Sequence, residues 1–207
     1  MTPVSVPVSV LVEGDIDEAV ARRLLHQAGL TCGTVYGKKG KRYLLDRLGK
    51  YNQAARFSAW LVLVDLNRDA VCAPDFVRDN LTYPTPCIRF RVAVRGVEAW
   101  LLADAERLAS FLGVARSGIP SNPDAQNDPK GALVRIARRS QRKQLRQDMV
   151  PRPGSGAAVG PGYTSRIKEF VTVSDHRWRP EVAAQHSDSL RRCIASLETL
   201  RAYLEGT

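Results

Sequence analysis

Ala59-Trp60-Leu61-Val62-Leu63-Val64-Asp65-Leu66-Asn67-Arg68-Asp69 decides the fold. Six apolar residues run without a break into a carboxylate and a polar turn. A continuous apolar run suits a strand buried on both faces, which is the strand type of a parallel sheet. Val8-Ser9-Val10-Leu11-Val12-Glu13-Gly14 reads the same way, a nearly continuous apolar run that ends at an acid and a glycine. In an open α/β sheet, ligands bind outside the carboxyl ends of the strands. Glu13, Asp65 and Asp69 are therefore expected to meet at one sheet edge. Carboxylates gathered there repel one another unless a cation is present. Hard oxygen donors of this kind suit Mg²⁺ or Mn²⁺.

Working outward from these two strands, apolar spacing predicts a helix over 16–28, with Gly29 as its C-cap. A short strand over 31–36, a basic turn Gly37-Lys38-Lys39-Gly40-Lys41-Arg42 and a helix over 42–55 precede the central strand at 59–64. A short helix over 74–80 follows. Residues 86–94 alternate apolar with basic, the pattern of a half-exposed fourth strand. Helices over 97–103 and from Asp104 to about Gly113 come next. Strand and helix alternate with connections too long for hairpins, which predicts a four-stranded parallel sheet flanked by helices. Beyond Gly113 the texture changes. A polar loop over 116–129, a basic helix over 130–148, a glycine-rich linker over 151–162 and an apolar-striped helix over 188–204 form a mainly helical extension. The expected division is an α/β domain over 1–113 and a basic helical extension over 114–207 that packs on it.

With 207 residues, 44% hydrophobic and 25% charged, the chain has the composition of an ordinary globular protein. No apolar run is long enough for a membrane span. Met1-Thr2-Pro3-Val4-Ser5-Val6-Pro7 lacks a basic n-region and a cleavage site, so a cytoplasmic protein is expected. Cys32, Cys72, Cys87 and Cys193 form no C-x-x-C pair, and His26, His176 and His186 add no ligand-like spacing, which argues against zinc.

The formal charge is +10. Residues 130–152 carry eight basic side chains against one acid, Asp148, and clustering of this kind favours a polyanion partner. Candidate phosphate contacts are Lys38, Lys39 and Lys41 in the basic turn, Arg89 and Arg91 on the fourth strand, and Arg138, Arg139, Arg142 and Lys143 in the basic helix. The arginines of the fourth strand could equally protect an exposed sheet edge. The glycine-rich stretches fail the spacing tests of nucleotide-binding loops, and no nucleophilic triad is evident.

Three acidic motifs stand at strand ends. In Val12-Glu13-Gly14-x-x-Asp17, Glu13 is a candidate metal ligand or general base, with Asp17 adding a carboxylate from the first helical turn. Asp15 and Glu18 read as a capping box. Asp65-Leu66-Asn67-Arg68-Asp69 offers Asp65, Asn67 and Asp69 as oxygen donors, or else an Asx-turn that opens the next helix. Glu98, in Val97-Glu98-Ala99-Trp100-Leu101-Leu102, sits at a third strand end as a catalytic candidate or as a helix-dipole partner.

On these residues the chain resembles the toprim family of topoisomerases, primases, ribosomal-RNA maturases and overcoming-lysogenisation-defect nucleases. That family carries a Glu after the first strand and Asp-x-Asp after the third, matched here by Glu13 and Asp65-Leu66-Asn67. Val12 to Asp17 and the Glu98-Ala99-Trp100-Leu101 stretch resemble its nuclease branch. The motifs are most similar to those of small bacterial toprim-like proteins, many of which look like components of phage-defence loci beside an ATPase. The resemblance covers the first half of the chain strongly and the C-terminal helix loosely. It implies a toprim-like fold, two Mg²⁺ or Mn²⁺ ions, phosphodiester hydrolysis of DNA or RNA with Glu13, Asp65 and Glu98 as catalytic residues, an ATPase partner and a possible homo-oligomer. A non-catalytic module that binds nucleic acid or an ATPase is the alternative. The second Asp of the family is Asn67 here, which removes a negative charge that Asp69 would have to replace.

Overall fold

The computed structural model describes residues 6–173 and 175–206. Residues 1–5, which carry most of the stretch read above as lacking a signal-peptide pattern, lie outside them. Four strands, β1 (Val8–Val12), β2 (Cys32–Gly37), β3 (Ala59–Asp65) and β4 (Ile88–Ala93), form one sheet in the order β2-β1-β3-β4. Every adjacent pair is parallel. This is the all-parallel, helix-flanked α/β sheet expected from the sequence, and it is consistent with a toprim-like fold.

The continuous apolar run in β3 has a direct cause. Ala59, Leu61 and Leu63 enter a core on one face of the sheet, with Val8, Val10 and Val12 of β1. Trp60, Val62 and Val64 enter a second core on the other face, with Leu11, Leu44, Leu48 and Phe76. Helix α1 (Asp15–Gln27) covers the first face through Val20 and Leu24. Helices α2 (Gly40–Leu45), α3 (Leu48–Ala54) and α4 (Ala73–Asn80) cover the second. The chain leaves β1 toward β2 on one side and returns to β3 on the other. The boundary between β1 and β3 is therefore the topological switch point, where the diverging connections leave a crevice.

After β4 come α5 (Val97–Leu102), α6 (Ala105–Leu112), a 3₁₀ turn (Arg116–Gly118), α7 (Pro129–Ala137), α8 (Lys143–Met149), α9 (Tyr163–Thr172), α10 (Pro180–Ala183) and α11 (Asp188–Glu205). These helices share the first core, to which they contribute Leu133, Ile167, Phe170, Leu190 and Leu197, and the segment before α10 adds Trp178. Polar groups lock the join. Trp100 Nε1 donates to Ser189 Oγ at 2.7 Å, and Trp178 Nε1 donates to the Trp100 carbonyl at 3.1 Å.

Several local expectations are corrected. The helix expected over 130–148 is two helices. Buried Ser140 stops the first by donating its hydroxyl to the Leu112 carbonyl at 2.5 Å, and Arg146 donates to the Ser140 carbonyl at 2.6 Å. The helix expected over 42–55 is also divided, at Asp46 and Arg47, between buried Leu44 and Leu48. The capping box does not form: extended Gly14 is the N-cap of α1, without a side-chain cap, and Asp15 and Glu18 pair with Lys38 instead. The glycine-rich stretch is anchored at its far end, because Gly160 and Gly162 donate to the carbonyls of Met149 and Asp148. Asp104 and Gly113 cap α6 as their residue types predict.

Candidate active site

The switch point gathers four carboxylates from four elements. Glu13 follows β1, Asp17 lies in the first turns of α1, Asp65 ends β3, and Glu98 lies in the first turn of α5. The parallel register that pairs Val12 with Leu63 brings the ends of β1 and β3 side by side. The Asp65 backbone N–H then donates to Glu13 Oε1 at 2.8 Å. Asp65 in turn accepts the Val97 N–H on Oδ1 at 2.8 Å. Glu13 and Asp65 are thus each held by a backbone N–H at or just beyond the next strand end.

Gly96 makes this approach possible. Its backbone is extended, so its conformation needs no glycine. A Cβ there, however, would meet Asp65 Oδ2 at 3.2 Å and Glu98 Oε2 at 3.3 Å, a tight crowding of two acids. Asp17, Asp65 and Glu98 line a cleft of about 230 Å³ with Gly14, Lys130 and Thr164.

Electrostatics mark the cleft as short of positive charge. Burial, and then repulsion from Glu13 and Glu98, raises the Asp17 carboxyl from 3.8 to about 7. Burial, with Asp17, Glu98 and Glu13 as repelling neighbours, pushes Asp65 well above the usual carboxylate range. Glu13 is raised by burial and by Asp69, against the Asp65 N–H bond and the Lys41 ammonium. Desolvated like charges behave in this way when no cation balances them.

Two side chains that the motifs did not single out complete the wall. Lys130, at the start of α7, places Nζ 3.4 Å from Glu98 Oε1, and the acids raise its own affinity for a proton. The Tyr163 hydroxyl, at the start of α9, donates to the same oxygen at 3.3 Å. Glu98 is only 2% exposed, so these two partners satisfy an otherwise isolated charge. Lys130 was visible in the sequence only as one member of a basic run.

The other candidate ligands stand apart. Asp69 lies on the far flank of Glu13, where its Oδ2 pairs with Lys41 Nζ at 2.5 Å; the same ammonium is 4.0 Å from Glu13. Asn67 has left-handed backbone, φ 52°. Its N–H donates to the Arg95 carbonyl at 2.7 Å, and its carbonyl accepts from the Arg95 guanidinium at 3.0 Å. Among the described residues its side-chain amide makes no hydrogen bond. Among the same residues, no group of three or more His, Cys, Asp or Glu side chains is arranged to hold a metal ion as it stands.

The expected phosphate contacts divide into two kinds. Arg138, Arg139, Arg142 and Lys143 are exposed on the bend between α7 and α8, and Lys39 is exposed in the basic turn. Lys38 is engaged by Asp15 and Glu18, and Lys41 by Asp69. Arg89 is committed to structure: its guanidinium donates to the carbonyls of Ser196, Pro86 and Ile88. Arg91 is half-buried under α11, beside Cys193. The basic face of β4 is therefore largely covered by the C-terminal helix, an arrangement that strand alternation alone does not reveal. Among the described residues no helix is long and apolar enough to cross a membrane. In comparisons with known proteins, the chain matches no family model, no curated protein and no solved structure.

Proposed function

We propose that the protein is a divalent-metal-dependent nuclease that hydrolyses phosphodiester bonds in DNA or RNA. One observation carries this reading. Four carboxylates converge at the sheet's switch point, where burial, and then their mutual repulsion, raises Asp17 and Asp65. The donor set fits Mg²⁺ or Mn²⁺ in chemistry, because it is all hard oxygen and short of positive charge. It is not a closed coordination sphere. Glu13, Asp65 and Asp17 would hold the metal, with Asp69 supplying charge from the Lys41 side, and Mg²⁺ keeps several waters in such sites. When bound, the metal supplies a nucleophilic water at neutral pH and charge stabilisation for the departing oxygen.

The residues of the chain divide the remaining work. Glu13, fixed by the Asp65 N–H and raised by burial, is suited to take a proton from the attacking water. Glu98 orients Lys130 at the cleft wall, where the ammonium faces the charge of an incoming phosphate. The exposed bend at 138–143 supplies backbone affinity that is independent of sequence.

A second reading rests on the same cleft. Lys130 already neutralises Glu98, and Asn67 replaces an acid, so the site could bind nucleic acid or an ATPase partner without cutting. Incubation of labelled DNA and RNA with the protein in Mg²⁺ or Mn²⁺ separates the two readings. Cleavage that disappears in Glu13→Ala and Asp65→Ala supports the nuclease; full activity in both purified variants would sink it.

A further inference from the structure

The cleft on the other side of the basic turn carries chemistry that phosphate binding does not use. Tyr36, Tyr43, Tyr51 and Trp60 line a cavity of about 390 Å³ together with Arg47 and Lys50. Three of the six tyrosines of the chain are here. Tyr36, Tyr51 and Trp60 form a ring cluster with centroids 4.9–5.9 Å apart. Tyr43 stands against two cations instead, with the Arg47 guanidinium 3.8 Å from its ring centre and Lys39 Nζ at 5.2 Å. Residues 36–57 carry seven basic side chains against one acid, Asp46. An aromatic cluster that served the core alone would be enclosed by apolar residues. This one opens at the edge strand, where Tyr36 is 40% exposed.

We propose that this cleft is a stacking site for unpaired bases of single-stranded nucleic acid. Aromatic faces and a guanidinium plane accept any base, and neighbouring cations hold the backbone. The position fits a strand that continues to the acids. Tyr36 pairs in register with Leu11, two residues before Glu13. The basic turn that follows is fastened to the end of β1, with Lys38 N–H donating to the Val12 carbonyl at 2.9 Å and Gly40 N–H to the Glu13 carbonyl at 3.1 Å. The inference rests on the nuclease reading only for what happens at Glu13; the binding itself is separate.

The test is fluorescence anisotropy in EDTA, which stops cleavage, using labelled oligo-dT, an abasic strand of equal length and charge, and a duplex. The parent protein should prefer oligo-dT over the abasic strand by about ten-fold or more, the effect of one stacked base. Tyr43→Ala and Tyr36→Ala should each erase most of that preference while leaving duplex affinity within about two-fold, and Tyr43→Phe should keep it. Thermal melting of each variant guards against misfolding. Equal binding of the abasic strand and oligo-dT, or equal competition by poly-aspartate, would show a general polyanion surface and overturn the proposal. Discrimination in EDTA together with no cleavage in Mg²⁺ would support the stacking site and reject the nuclease. Cleavage without discrimination would do the reverse.

Discussion

The backbone N–H of Asp65 and the carboxylate of Glu13, 2.8 Å apart, tie together the two strand ends on which the site is built. A hydrogen bond to a charged acceptor contributes about 1.5–3 kcal/mol, so Glu13 has a structural duty as well as a chemical one. The two can be separated. Glu13→Gln keeps an oxygen for the Asp65 N–H and should melt close to the parent, whereas Glu13→Ala should lose stability. Both should lose metal-dependent cleavage. Retained cleavage in Glu13→Gln would remove the proton-accepting role.

The acidic cleft should leave a pH signature on stability. Asp17 holds its proton up to about 7 in the folded state, against 3.8 as its ordinary value. Between those values the folded protein binds a proton that the unfolded chain has released. Stability must then fall as pH rises through this window, and level off above it. Asp17→Asn should flatten the slope and melt higher than the parent at pH 8. Millimolar Mg²⁺ at pH 8 should raise the melting temperature of the parent, since a ligand of the folded state stabilises it, and should do so less in Asp65→Ala. Melting curves from pH 4 to 8, with and without Mg²⁺, check each point. A rise in stability across the window would contradict the crowding of acids.

The exposed bend between α7 and α8 should behave as a phosphate-binding surface. Neutralising Arg138, Arg139, Arg142 and Lys143 should weaken duplex binding. It should also flatten the log-affinity against log-salt slope by about 0.9 for every phosphate that the protein no longer neutralises. Arg142 packs against Gly113, so Arg142→Gln is checked separately for stability. An unchanged slope would leave the bend as solvated surface.

The parts that were legible in the sequence share one property: each is determined locally. The unbroken run at Leu61 to Val64 suits a strand covered on both faces, and a parallel sheet then places Glu13 and Asp65 on one edge. Glu98 follows because α5 starts where β4 ends. What stayed hidden depends on long-range contact. Lys130 and Tyr163 reach Glu98 from 32 and 65 residues away, and no period in the sequence announces them. The split of the basic helix depends on Ser140 finding the Leu112 carbonyl, 28 residues back. Arg89 looked like a free cation on an alternating strand because the helix that covers it lies 107 residues later, at Ser196. The aromatic cleft is assembled from β2, α2, α3 and β3, so its tyrosines share no spacing.

Asn67 and Asp69 decide how much negative charge the β3 side supplies. Asn67 sits at φ 52°, a region Asn and Asp tolerate better than other side chains. Asn67→Ala should therefore cost about 1 kcal/mol of stability through its backbone. It should change cleavage little, because the amide makes no hydrogen bond to the acids. Asp69→Asn should do the opposite. It removes the partner of Lys41, whose ammonium is then free to close the 4.0 Å gap to Glu13 and suppress its basicity. Cleavage should fall well below that of Asn67→Ala, with stability nearly unchanged at this exposed position. Asn67→Asp keeps the left-handed turn and adds a charge. Calorimetric titration should show tighter Mg²⁺ binding, although the extra charge also opposes an incoming phosphate. If Asp69→Asn bound metal like the parent while Asn67→Asp alone created binding, the β3 side would lack the charge that catalysis needs, and the non-catalytic binding module would replace the nuclease.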